Sequence, residues 1–211
     1  MGLKSRIRQV ELAARVEYSK QLVYGPDDPK AIPYLEASIR RFPQVASLRM
    51  LMANACRVSR PEQVAPEARM AADLAPTDLK LQVYAGWQLV HHGDVPAARD
   101  CAARVRELAG DDYVPITDLV RLEGMILAKE QKLTAAEEKL RWAVADEPRN
   151  PKNAHVLAAF LWARGRNEEA LATIDEAMWN GGDRYPLLCG DRYPLLFDLR
   201  AEITGEAAAG D

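Results

Sequence analysis

PKNAHVLAAFLWARGRNEEALATIDEAMWNGG, residues 151–182, carries the pattern that decides the fold. Ala158, Leu161, Ala170 and Ala177 stand at helical spacing, and Gly165 separates two amphipathic stretches. The same kinds of residue stand 34 positions earlier at Gly124, Leu127, Ala136 and Ala143, and a further 38 earlier at Gly86, Leu89, Ala98 and Val105. An offset shared by four separate positions marks a structural repeat. A repeat of this length is one helix-turn-helix unit that buries its apolar face only against a neighbour. The sequence therefore predicts an all-α solenoid, one continuous array without an internal boundary.

The punctuation agrees. Pro43, Pro76 and Pro148 stand where second helices should stop, because proline cannot continue the hydrogen-bond ladder, and Gly110 and Gly181-Gly182 offer left-handed caps. The opening helix, about Leu3 to Val23, spaces Ile7, Val10, Ala14, Tyr18 and Leu22 three or four apart, a stripe expected to pack on the following helix. Four extra residues between Asp112 and Thr117 account for the longer spacing, so Tyr113-Val114-Pro115-Ile116 should bulge or lengthen a helix, either as a neutral insertion or as a binding edge.

Position for position, residues 151–182 resemble the tetratricopeptide (TPR) unit: Ala158 admits the second helix, Gly165 makes the turn, Ala170 lets the helices cross closely, and Ala177 seats the next unit. Residues 79–110 read the same way through Gly86, Leu89, Gly93-Asp94, Ala98, Ala102 and Val105, and 117–148 through Gly124, Leu127, Ala136, Leu140, Ala143 and Pro148. Two degenerate units precede them. One has Ala53, Cys56, Val64, Ala68, Ala71 and Pro76; the other has Ser19, Leu22, Ala31, Leu35, Ser38 and Pro43, with a turn at Gly25-Pro26-Asp27-Asp28-Pro29 that departs from the motif. The resemblance implies a right-handed superhelix of five repeats (12–43, 46–76, 79–110, 117–148 and 151–182), a duplicated segment with a capping helix (183–203) and a flexible tail (204–211).

In TPR proteins the concave groove is lined by the second, fifth, ninth, twelfth and thirteenth positions of each first helix. Carried over, these are Lys20 and Val23; Met50, Asn54 and Arg57; Lys80, Val83, Trp87 and His91; Asp118, Arg121, Met125 and Lys129; and Lys152, His155 and Trp162. That groove is basic and aromatic in a chain of net charge −3, and Trp and Arg are favoured interface anchors. A frame error of one residue would instead make Trp87 and Trp162 inter-helix packing. The carboxylate clamp of chaperone-binding TPR domains finds only Asn54 in place, with Met50, Tyr84, Asp118 and Leu122 in the other slots. The expected function is a non-catalytic scaffold or adaptor that holds an acidic or amphipathic segment of a protein partner, with self-association also open. A single-stranded RNA reader of the helical-repeat kind and a peptide- or small-molecule-sensing accessory module are the alternatives.

GDRYPLLC, residues 182–189, is followed at once by GDRYPLLF, residues 190–197. Either a lengthened linker leads into a capping helix with Leu195, Leu196, Leu199 and Ile203 on one face, or Tyr185 and Tyr193 are paired partner anchors.

Catalytic motifs are lacking: there is no phosphate loop, HExxH, GxSxG, CxxC or GxGxxG. His91, His92 and His155 have no carboxylate or thiolate partners in register, so no metal, cofactor or catalytic residue is assigned. Glu137-Glu138-Lys139 and Arg166-Asn167-Glu168-Glu169 read as solvated helix surface with favourable neighbouring charges. No apolar run reaches the roughly 18 residues of a membrane span. Met1 to Val10 lacks the apolar core of a secretory signal, and Arg6 spoils a myristoylation match. Cys56, Cys101 and Cys189 are odd in number and far apart, which suits a reducing compartment, and a cytoplasmic protein is expected. Twenty Arg against eight Lys point to a GC-rich bacterial genome.

Overall fold

The computed structural model describes residues 3–24, 30–110, 117–182 and 194–205. Among these residues the regular structure is entirely helical, as the repeat predicts. The helices are α1 (Leu3–Tyr24), α2 (Ala31–Arg41), α3 (Ala46–Ser59), α4 (Val64–Leu74), α5 (Leu79–His91), α6 (Val95–Ala109), α7 (Thr117–Lys129), α8 (Leu133–Asp146), α9 (Pro151–Trp162), α10 (Asn167–Gly182) and α11 (Pro194–Thr204). Backbone contacts divide the chain into two compact units, residues 1–113 and 114–211. In unit one α1 packs on α2, α3 on α4 and α5 on α6; in unit two α7 packs on α8 and α9 on α10, and α11 lies against α9 and α10. No helix among the described residues is long and apolar enough to cross a membrane.

Three pairs reverse direction by one device. The carbonyls of Leu89, Leu127 and Leu161 accept the N–H groups of Asp94, Lys132 and Arg166 at 2.8, 3.0 and 3.1 Å. In each case the residue before the donor is left-handed: Gly93 (φ 85°), Gln131 (φ 63°) and Gly165 (φ 75°). These hydrogen bonds satisfy carbonyls that a helix end would leave open. The α3–α4 reversal is different. Arg60 (φ −144°) stands there without positive φ, and a 3-10 turn over Pro61–Gln63 makes the bend. The return connections also repeat: Phe42, Ala75 and Glu147 donate back to Ser38, Ala71 and Ala143, each one residue before Pro43, Pro76 and Pro148.

Tight reversals hold paired helices close, and small residues occupy the crossings. Ala98, Ala136 and Ala170 are fully buried. A Cβ on Gly124 would lie 2.8 Å from Leu140 Cδ2, so α7 and α8 meet at the limit of contact.

The stripe expected on α1 packs only in its second half, where Tyr18 meets Tyr34 of α2 edge-on with centroids 4.9 Å apart. Ile7, Val10, Ala14 and Tyr18 are exposed, and only Leu22 is buried. The face toward α2 is largely polar: Arg15 Nη1 donates to Ser38 Oγ (3.3 Å), Ser19 is fully buried, and Arg8 and Arg15 lie over the Phe42 and Tyr34 rings at 5.6 and 5.8 Å. Cation–π and hydrogen-bond contacts choose the seam here, and aliphatic spacing does not register them. The charged runs on α8 and α10 carry their favourable neighbouring charges as one linked network. Arg166 bonds both Glu137 (2.7 Å) and Glu169 (2.6 Å), and Arg141 bonds Glu137 and Glu169 in turn. Hydrogen bonding to Arg166 holds both carboxyls below their ordinary range.

Two stability changes follow. Gln131→Gly should stabilise the protein by about 0.5–1 kcal/mol, because relief of left-handed strain exceeds the entropy glycine adds to the unfolded chain; the urea midpoint checks it. Ala170→Leu should destabilise by about 1–3 kcal/mol through overpacking of the α9–α10 crossing, read as a lowered midpoint in thermal unfolding.

Candidate functional site

In unit one the first helices of the three pairs are joined through Asn54. Its Nδ2 donates to the Tyr24 hydroxyl (2.9 Å), and its Oδ1 accepts from the Tyr84 hydroxyl (2.9 Å) and Gln88 Nε2 (2.8 Å), so α1, α3 and α5 share one side chain. Burial raises the proton affinity of the Tyr24 phenolate. Asn54 is thus largely committed to its own fold.

Beside it, α5 carries an aromatic ladder. Tyr84 stacks on Trp87 with centroids 6.2 Å apart and planes at 14°, and Trp87 meets His91 edge-on at 4.6 Å. One turn separates Trp87 from His91, and another separates it from half-buried Val83. Trp87 is half-buried, and its indole N–H is shielded from solvent without a hydrogen-bond partner. Arg57 and Lys80 are exposed and form no ion pair among the described residues, whereas exposed Lys20 pairs with Glu17 at 3.3 Å. His92, which pattern reading passes over, is half-buried; burial and then nearby Arg57 hold its imidazole below the ordinary value.

Unit two treats its assigned residues differently. From Leu119 to Ile126 every residue of α7 is buried, which takes Arg121 and Met125 away from solvent. Arg121 donates to Asn153 Oδ1 and to Asp118 Oδ1, both at 2.6 Å, while its Nε has no partner. An arginine so placed clamps α7 to α9. Lys129 and Lys152, near opposite ends of their helices, are exposed. His155 is half-buried, and α9 packs against α11; burial lowers its pKa, while Glu202 opposes the shift. Trp162 closes α9, half-buried. Tyr185, Tyr193, Cys189, the Gly25–Pro29 turn and the 113–116 insertion lie outside the described residues.

Sequence reading missed the buried amides. Gln82 Nε2 donates to the carbonyls of Ala72 (2.7 Å) and Ala75 (3.0 Å), and Asn153 Nδ2 donates to Ala143 (2.8 Å). In each unit an amide on the first turn of a first helix satisfies the open end of the preceding second helix. The signal was a polar residue at a position whose spacing calls for an apolar one. Elsewhere, a cleft of about 270 Å³ between α4 and α6 is lined by Arg69, Asp73, Asp100, Cys101 and Arg104. Its arginines are already paired, Arg69 with Asp94 and Arg104 with Asp73. Burial pushes the Cys101 thiol up to about 11 and raises that of Cys56. Among the described residues no group of three or more His, Cys, Asp and Glu side chains could hold a metal ion.

Because Arg121 is 6% exposed, its replacement tests packing before it tests any partner. Arg121→Glu should lower stability by about 3–5 kcal/mol, since it leaves Asp118 and Asn153 facing an unpaired buried acid; chemical denaturation measures it.

No protein-family model matches the sequence, and no curated protein matches it. Solved structures do match the fold. TTC0263, a thermophilic TPR protein in Thermus thermophilus, superposes with a TM-score of 0.65 at 18% identity, over 92% of this chain and 98% of its own. PilW, a widely conserved type IV pilus biogenesis factor, gives 0.62 at 18% identity, over 93% and 87%. PilF of Pseudomonas aeruginosa gives 0.60 at 17%, over 93% and 90%. The all-helical structure packed in adjacent pairs agrees with these likenesses, and the chain has the tetratricopeptide-repeat fold.

Proposed function

We propose that this chain is a non-catalytic protein-interaction scaffold, and that unit one holds a segment of a partner protein against the first-helix face where α3 and α5 adjoin. The observation that carries this reading is Trp87. A half-buried indole fixed between Tyr84 and His91 has the rigid apolar area of an interface anchor. Asn54 and its hydrogen-bonded neighbours keep that face from rearranging, so little ordering cost falls on binding.

Arg57 and Lys80, exposed and without ion pairs among the described residues, support an acidic segment as the occupant. Lys129 and Lys152 give unit two a positive contact of its own. A structural neighbour that is a pilus biogenesis factor supports the broader reading, in which such a chain helps to build a protein assembly.

The test is a native-lysate capture with the wild type, Trp87→Ala, Arg57→Glu and, as a control on α4, Met70→Ser, followed by binding kinetics with the recovered partner. Trp87→Ala should speed dissociation about tenfold or more, since anchors act mainly through the off-rate. Arg57→Glu should slow association at low salt and flatten its salt dependence. Met70→Ser should change neither. Equal recovery by all four would overturn the assignment, and loss only on changing Tyr185 or Tyr193 would move the site to the duplicated segment.

A further inference from the structure

The outward face of α1 carries a seam that nothing else in the described fold uses. Ile7 is 59% and Val10 is 70% exposed, and Ala14 and Glu17 are exposed beside them. These positions, with Gln21 and Tyr24 after them, alternate in steps of three and four, and the register reaches back in the sequence to Leu3. The apolar part of that spacing, Ile7 to Ala14, is a short narrow stripe of the kind two helices share, not the broad apolar face with which a helix lies on a membrane.

From this seam we infer that two copies of the chain associate side by side through the first half of α1, with the helices parallel. Direction follows from the residues. An antiparallel pair can also match apolar residues, Ile7 on Val10, but it sets the flank that carries Arg6 against the same flank of the second copy and so away from Glu11. A parallel pair sets Ile7 on Ile7, Val10 on Val10 and Ala14 on Ala14, with a β-branched residue at the position where two-stranded pairs prefer one. It also brings Arg6, exposed and without an ion pair among the described residues, beside Glu11 of the second copy, the flanking arrangement that selects parallel partners. Glu11 already accepts from Arg15 and Arg41 in its own chain, so Arg6 joins an existing charge network. The contact ends at Glu17, where like charges meet. Beyond it, Ser19 and Leu22 turn inward to the chain's own core.

Because the seam is short, the association is weak, with a dissociation constant on the order of 100 μM. Sedimentation equilibrium up to several times that concentration should show a monomer–dimer equilibrium, and Ile7→Glu, at an exposed position, should abolish it with helicity unchanged. Arg6→Glu should weaken it several-fold. Val10→Cys in a Cys189→Ser background, oxidised with copper phenanthroline, should give a disulfide-linked dimer. A wild type that stays monomeric throughout overturns the inference, as does a dimer that Ile7→Glu leaves intact. So does cross-linking that requires Val10→Cys in one copy and Ile7→Cys in the other, which would mean antiparallel helices. Flotation with phosphatidylserine vesicles that is lost in Ile7→Glu, in a chain that never dimerises, would assign the seam to a lipid surface instead.

Discussion

The carbonyls of Leu89, Leu127 and Leu161 each take back an N–H from beyond a left-handed residue, and much else depends on that contact. It folds one helix onto the next within a few residues, so the pair emerges nearly in contact. A side chain larger than alanine then has no room at the crossing, and so Ala98, Ala136 and Ala170 are fully buried and Gly124 sits against Leu140. Small residues and close pairing go together also in the α3–α4 pair, where Ala53 and Ala68 are fully buried. Where the left-handed residue is missing, at Arg60, a 3-10 segment makes the bend with different hydrogen bonds.

Within each unit, the polar groups that stacking would strand are satisfied by neighbours. Gln82 and Asn153 reach back to helix ends, Asn54 bridges three helices, and Arg121 spans α7 and α9. Hydrogen bonds of this kind add modest net stability but are costly to break, since one deletion leaves a buried group without a partner. They therefore specify which face of each helix turns inward, while the aliphatic and alanine positions supply the bulk of the burial.

How much of this could be read from the sequence depends on where the information lies. Local signals were legible: the repeated leucine, the turn glycines, and the prolines after second helices all act within a few residues of themselves. Gln131 was harder to read, because a left-handed residue other than glycine leaves no compositional mark. The candidate site was legible only in part, since the family's positions give the helix and the turn but not the depth. Trp87 and His91 meet edge-on along α5, whereas Arg121 and Met125 lie inside, because every residue of α7 from Leu119 to Ile126 is buried. On α1 the spacing rule selected a stripe whose first half is exposed, because the face toward α2 is held by arginines over aromatic rings.

The two buried thiols have a use that their chemistry alone does not announce. Cys56 on α3 and Cys101 on α6 are hidden in different helix pairs of unit one, and burial raises the pKa of both. A thiol held in this way is nearly inert to exchange reagents until its surroundings part, because the thiolate is the reacting species. Their modification rates are therefore clocks for the opening of two neighbouring helix pairs. Equal rates would mean that unit one opens as a single cooperative body, and unequal rates that its pairs come apart one at a time, as linear arrays permit.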